Sequence, residues 1–257
     1  TPVFLHAEQT IFAANHGKHV LCEKPMALNV AECDEMIAVC QANNVKLGIA
    51  YYRRFYPVIE RIKQLIASGE LGKIAVVQIN AFEYFEPSAE HPRRWLIEKV
   101  KSGGGPLMDF GCHRLEVLTH LFGEIKDCKS IISNDIFQRE VEDTATVLMQ
   151  FENGTNAVLT ITHSPLEPQD TLDIYGTKGS IHIPILNQGE MKLRIGNDEI
   201  VEHHPPDKNV HLPLIENFTE AVLNNVEVEI TGKTGREIAQ IIEEIYSAKE
   251  LELRLQT

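Results

Sequence analysis

Apolar positions in the first fifty residues recur at helical and strand spacings in turn. The pattern predicts a short helix from His6 to His16, a strand from Lys18 to Cys22, a second helix from Asn29 to Asn43 capped by Asn29, and a second strand from Val45 to Ala50. Strands that alternate with helices of this length are typical of a parallel sheet with right-handed crossovers. Residues 1–51 therefore look like the second part of a doubly wound domain.

The pattern changes after residue 51. Pro57 to Ala67 predicts a helix, and Lys73 to Phe82 has the composition of a strand. Further strands then follow one another without helices, which indicates an antiparallel sheet. They are predicted at Val141 to Phe151, Thr155 to His163, Thr171 to Tyr175 and Ser180 to Ile183, and helices at Leu214 to Leu223 and Arg236 to Ala248. Residues 52–257 are predicted to form a second domain, and the junction near residue 51 is a favoured place for a ligand cleft.

Composition and charge narrow the range of partners. The 257 residues carry a formal net charge of −13, so we expect neither nucleic acid nor an anionic membrane as a partner, and a small molecule instead. The five cysteines show no Cys-x-x-Cys pair, which fits reduced thiols in a cytoplasmic protein, and no metal site is predicted. The chain opens on Thr1-Pro2 as though in mid-domain, so we expect an upstream segment.

Lys24 is the first candidate for chemistry. It lies in the run Leu-Cys-Glu-Lys-Pro of residues 21–25, directly after the first predicted strand. The carboxyl ends of parallel strands open onto the ligand crevice, and the rigid Pro25 fixes the backbone that follows. A surface Glu23–Lys24 pair that closes the strand is the alternative interpretation.

Asp109 and His113 form the second candidate group. They are four residues apart, after the triplet Gly103-Gly104-Gly105 and at the start of a predicted helix that continues from Arg114 to Phe122. At helical spacing the carboxylate could hold the imidazole and raise its basicity, as a general base requires. Alternatively, Asp109 caps the helix and His113 is a structural residue of its first turn.

Four spaced segments within residues 1–123 together resemble a known family. They are Thr1-Pro2 with His6; Gly17 to Pro25; Tyr52 to Pro57; and Gly103-Gly104-Gly105 with Asp109, Gly111 and His113. The combination is similar to the Gfo/Idh/MocA oxidoreductases, which include glucose-fructose oxidoreductase and inositol dehydrogenase. The chain departs from the family in lacking a Gly-x-Gly-x-x-Gly turn, which we expect upstream of Thr1.

The resemblance implies an α/β chain in which the C-terminal part of a Rossmann-like domain precedes an α+β domain with a large, mainly antiparallel open sheet. It also implies NAD or NADP as cofactor and a homo-oligomer, a dimer or tetramer, built through that sheet. The implied catalytic residues are Lys24, Asp109 and His113; the cofactor-binding residues are Pro2, His6, Glu23, Lys24, Pro25 and Arg54; and the substrate-binding residues are Tyr52, Arg94, Trp95 and His113. For Tyr52, Arg54, Arg94 and Trp95, a basic rim and a partly buried aromatic remain equally open interpretations.

These observations predict an NAD(P)-dependent oxidoreductase that interconverts a secondary alcohol and a ketone on a sugar, a sugar derivative or a cyclic polyol. In this scheme His113 takes the hydroxyl proton and Lys24 stabilises charge on the same oxygen. Two alternatives remain open. One is an NAD-dependent glycosidase or lyase with a tightly held cofactor, and the other is a non-catalytic binding or assembly relative.

Overall fold

The computed structural model describes residues 1–255, with side chains up to residue 247. The first part of the chain forms a two-stranded parallel sheet of β1 (Val20–Cys22) and β2 (Leu47–Ile49), with α1 (His6–Asn15) and α2 (Val30–Ala42). The predicted helix–strand alternation is confirmed, as is the cap: Asn29 Oδ1 accepts a hydrogen bond from the Glu32 amide at 2.9 Å.

The second part is built on an eight-stranded sheet in the order β10-β9-β8-β7-β3-β6-β5-β4. Its strands are β3 (Ile74–Phe82), β4 (Ile125–Ser133), β5 (Thr144–Phe151), β6 (Asn156–Thr162), β7 (Gln169–Gly176), β8 (Gly179–Ile183), β9 (Glu190–Ile195) and β10 (Asp198–His203). The helices are α3 (Pro57–Ala67), α4 (Lys99–Ser102), α5 (Cys112–Phe122), α6 (Leu212–Leu223) and α7 (Gly232–Leu255).

The sheet is mixed rather than wholly antiparallel. Six of its seven strand pairs are antiparallel, whereas β3 runs parallel to β6. The exception arises because β3 comes early in the chain but is inserted between β6 and β7, so those two strands are not neighbours. The pattern of apolar residues did not predict β4, β9 or β10, whose positions are mostly half-buried or exposed.

One face of the sheet is buried and the other is open. Val77, Ile79 and Ala81 of β3 point into the core on the same side as α5 and α7, and each is at most 1% exposed. On the opposite face Leu148 and Tyr175 remain 54% and 43% exposed. Within the described residues, no helix is long and apolar enough to cross a membrane.

Candidate active site

Lys24 joins the two parts of the chain. It follows β1 directly, with a cis bond to Pro25, and its ammonium donates hydrogen bonds to the Asp109 backbone carbonyl at 2.5 Å and to Asp109 Oδ1 at 3.3 Å. Both side chains are largely buried, with 18% and 13% exposed. The carboxyl end of the parallel strand pair therefore meets the segment that carries Asp109, as the strand-end position of Lys24 suggested.

The turn that carries Asp109 is held from behind by Glu142. The Glu142 carboxylate accepts hydrogen bonds from the amides of Gly105 at 2.8 Å and Leu107 at 3.0 Å, and from the Tyr246 hydroxyl at 2.9 Å. A Cβ at position 105 would lie 2.1 Å from the Glu142 carbonyl oxygen, so only glycine fits there. Sequence reasoning missed Glu142, because an isolated Glu-Asp pair before a strand carries no signal of a contact 37 residues away.

The expected hydrogen bond between Asp109 and His113 is not formed. Asp109 Oδ2 instead accepts from Arg93 Nη2 at 3.3 Å, so the carboxylate lies between two cations. The segment Leu107–Gly111 is a π-helical turn, whose wider winding changes the side-chain directions that α-helical spacing predicts. Asp109 therefore positions Lys24 rather than the imidazole.

His113 is buried beside two tyrosines with both ring nitrogens unoccupied. It is 2% exposed, and neither Nδ1 nor Nε2 has a hydrogen-bond partner among the described residues. Its ring stands edge-on to Tyr51 and Tyr52, with centroid distances of 5.6 and 4.8 Å. Burial, together with the positive charges of Arg53 and Lys24, lowers the pKa of His113 well below its ordinary value. Both effects favour the uncharged imidazole, in which one ring nitrogen carries a lone pair that can accept a hydrogen bond.

A cleft of about 300 Å³ lies over the Lys24–Asp109 contact. The predicted residues Glu23, Lys24, Pro25, Trp95 and Asp109 line it. His6 and Pro2 stand behind this wall: the His6 ring nitrogens lie 2.9 Å from the carbonyl oxygens of Pro25 and Thr1, and Pro2 is half-buried beside them.

Other predicted residues lie apart from this cleft. Arg54 pairs with the buried Glu116 at 2.5 Å and lines a separate groove, so the structure places it away from Lys24. Arg94 donates to the Pro87 carbonyl at 3.3 Å, and its neighbour Arg93 faces the cleft instead. Tyr52 and His113 do not line the cleft either, and their rings contact each other with centroids 4.8 Å apart. Adjacent arginines in a sequence give no signal of which one faces a site.

Two family models match the chain. The model described as an oxidoreductase family with an NAD-binding Rossmann fold matches residues 1–51, and the GFO/IDH/MocA C-terminal domain matches residues 59–182. The fold and the family predicted from the sequence are thereby confirmed.

Known proteins agree with these matches. The chain is 32% identical over 180 residues to a trans-1,2-dihydrobenzene-1,2-diol dehydrogenase of Xenopus laevis, covering 70% of this chain and 52% of that protein. It is 31% identical over 206 residues to a 2,7-anhydro-N-acetylneuraminate hydratase of Mediterraneibacter gnavus, covering 77% and 54%. The chain thus spans about half the length of these two relatives.

A solved structure covers nearly the whole chain. The aldose-aldose oxidoreductase of Caulobacter crescentus, complexed with glycerol, superposes with a TM-score of 0.89 at 31% identity, covering 98% of this chain and 76% of that one. The glycine triplet and the strand-end lysine lie inside the regions that the family models match, as do strands β3 to β7 of the mixed sheet. The chain belongs to the Gfo/Idh/MocA oxidoreductase family.

Proposed function

We propose that this chain belongs to an NAD(P)-dependent oxidoreductase that interconverts a secondary alcohol and a ketone on a sugar, a sugar derivative or a cyclic polyol. The observation that carries the proposal is the Lys24 ammonium, held against Asp109 at the carboxyl end of β1 and open to a cleft. The unpaired nitrogens of His113 support it, since a buried polar atom without a partner is uncommon and a catalytic role is one of its explanations.

The residues present fit the nicotinamide end of a dinucleotide. The cleft lies at the carboxyl ends of the parallel strands, where α/β proteins bind such cofactors, and Lys24 offers a donor within it. Glu23, Lys24 and Pro25 would hold this end, with Pro2 and His6 supporting the wall behind them. A bound nicotinamide supplies the hydride acceptor, and the protein supplies orientation and charge.

In the proposed mechanism two side chains act on one hydroxyl oxygen. The neutral imidazole of His113 accepts the hydroxyl proton at a ring nitrogen, and Lys24 donates a hydrogen bond that stabilises the negative charge developing on that oxygen. Asp109 fixes the ammonium of Lys24 through the 3.3 Å contact. In the reverse direction, protonated His113 returns the proton to the carbonyl oxygen.

A reaction without net oxidation is the second candidate, of the lyase or glycosidase type with a tightly held cofactor. The observation that favours it is the similarity to a protein named as a hydratase. Net reduction of added NAD or NADP by substrate separates the two, because a redox-neutral reaction leaves no reduced cofactor behind. The non-catalytic alternative requires Lys24, Asp109 and His113 to lie apart. The hydrogen bonds between Lys24 and Asp109 count against it, whereas His113 forms no hydrogen bond with either residue.

We also propose a homo-oligomer, a dimer or tetramer, that assembles through the open face of the sheet. Ile131, Leu148 and Tyr175 on that side are 78%, 54% and 43% exposed, more apolar surface than a solvated sheet face usually carries. A monomer across micromolar concentrations in light scattering would overturn this. The cytoplasmic location is proposed from the five free cysteines.

The experiment that tests the function is a screen of the full-length protein. Sugars, sugar derivatives and cyclic polyols are offered with NAD and with NADP, and the absorbance of the reduced nicotinamide is followed. We expect at least one compound to reduce the cofactor at a rate that depends on its concentration. A protein that binds the cofactor but reduces it with none of these compounds, while releasing a hydrated or cleaved product, would support the second candidate instead.

A further inference from the structure

A second cavity, of about 670 Å³, lies beside the buried histidine. It opens where β3 ends at Phe82 and where β7 begins at Gln169, and Arg53 and Arg114 line it. Both arginines are buried, with 6% and 4% exposed. Guanidinium groups are rarely buried this far without a partner of opposite charge.

Arg53 has no such partner within the described chain. Its Nη1 donates to the Tyr52 hydroxyl at 3.1 Å, while its Nε is buried without any hydrogen bond. No carboxylate of the described residues lies within ion-pair distance of it. Leaving a charge buried and uncompensated is costly, so this arrangement suits an anion that arrives with a ligand.

The other charges around the cavity leave Arg53 uncompensated. Arg114 is balanced by Asp170, whose Oδ1 accepts from Arg114 Nη2 at 2.5 Å, although Arg114 Nε also lacks a partner. Glu83 and Glu167 lie at the exposed rim, where water screens them. The inner end of the cavity therefore carries one net positive charge.

This inner end lies close to the proposed reacting centre. The Arg53 guanidinium carbon stands 5.0 Å from the Tyr52 ring centroid, and the same ring is 4.8 Å from the His113 ring. Arg114 follows His113 directly in the chain. The Tyr52 ring lies between the two groups, so a ligand anchored at Arg53 would sit one aromatic side chain away from His113.

We propose that Arg53, with the free Nε of Arg114 beside it, forms a subsite for a carboxylate, and that the substrate is a sugar acid such as an aldonate or uronate. A planar guanidinium presents parallel N–H groups that match a carboxylate, and a single unpaired charge suits a singly charged anion better than a phosphate. This inference rests on the proposed function, because it names the substrate class of the same site.

The test uses matched substrates that differ in the carboxylate. The full-length enzyme is assayed with D-gluconate against D-glucitol, and with D-glucuronate and D-galacturonate against D-glucose and D-galactose, with each cofactor. We expect kcat/KM to be at least about tenfold higher for the acid of a pair.

Arg53→Gln should lower kcat/KM for the acid by about 10- to 100-fold, mainly by raising KM, because this is the scale of a lost hydrogen bond to a charged group. The same variant should change kcat/KM for the neutral compound of the pair by less than about threefold.

Arg194→Gln is the matched control, because Arg194 lies on β9 in an exposed pair with Glu199. Equal losses on acid and neutral substrates in Arg53→Gln would show a structural role and overturn the subsite. Should that variant fail to fold, as judged by circular dichroism, the acid-to-neutral ratio of the unmodified enzyme decides. An enzyme that oxidises only the neutral compounds overturns the subsite and leaves the oxidoreductase proposal standing. If none of these compounds reduces either cofactor, the subsite is overturned, and the wider screen of sugars, sugar derivatives and cyclic polyols decides the oxidoreductase proposal.

Discussion

Helix α5 carries buried polar groups on two faces, and the two faces differ in the hydrogen bonds and ion pairs that those groups form. Toward the strand-end lysine, His113 has no hydrogen-bond partner among the described residues. Toward the opposite groove, Glu116 is 0% exposed, and its Oε1 lies 2.5 Å from Arg54 Nη2. On the same side, His120 Nε2 lies 3.4 Å from Lys63 Nζ. Glu116 Oε2 also lacks a hydrogen-bond partner among the described residues, so the contrast is between an imidazole with no partner and a carboxylate held by a cation at one oxygen.

The same contrast separates two consecutive arginines. Arg53 and Arg54 lie in the 3-10 turn Tyr52–Phe55, where successive side chains point in directions about 120° apart. Arg54 meets Glu116 and Glu229, while Arg53 turns into the second cavity without an acid. One turn therefore serves both the stability of the fold and the proposed substrate site.

Replacing the unpaired histidine should have the largest effect on turnover. His113→Asn removes the proposed proton acceptor, so we expect turnover to fall by about 100-fold or more, the scale of losing a positioned general base. The midpoint of thermal unfolding should change little. His120→Asn, on the same helix but facing the groove, is the control and should keep near-normal turnover. Equal turnover in the two variants would contradict the functional reading of the unpaired face.

Substitutions on the paired face should change the stability of the fold rather than turnover. Arg54→Met leaves the Glu116 carboxylate buried without its main partner, so we expect the free energy of unfolding to fall by about 3 kcal/mol, typical of a broken buried pair. Chemical denaturation measures this change, and turnover per folded molecule should stay within about threefold. A loss of turnover at unchanged stability would instead support the cofactor-binding role predicted for Arg54 from the sequence.

Glu116 should also give the stability a dependence on pH. Burial raises the pKa of its carboxyl from 4.5 to about 7, in spite of the neighbouring Arg54. Between those values the folded state holds a proton that the unfolded state has released, so the free energy of unfolding falls as the pH rises from 4.5 to about 7. Glu116→Gln should remove this part of the dependence of the free energy of unfolding on pH. An unchanged slope in unfolding measurements at pH 5, 6 and 7 would show that Glu116 is ionised throughout this range.

The helices and strands could be predicted from the sequence better than the contacts between side chains. The helix from Pro57 to Ala67 was predicted to the residue, because proline starts it and Ser68-Gly69 ends it. The edge strand β10 was missed because its residues, mostly exposed, carry no burial pattern. Within the site, spacing alone could not show that Asp109 turns to Lys24 rather than to His113, since the π turn and the charge of Arg93 decide that direction.

We propose that Lys24 acts on the reacting oxygen rather than closing a strand at the surface. Lys24→Met keeps most of the aliphatic stem and deletes the ammonium; Lys18→Met makes the same change at an exposed position just before β1. With the substrate found by screening, we expect turnover of the full-length Lys24→Met enzyme to fall by about 100-fold or more while its unfolding midpoint stays close to that of the unmodified enzyme and of Lys18→Met. Near-normal turnover in Lys24→Met would contradict the mechanism and leave Lys24 a surface residue of the strand end.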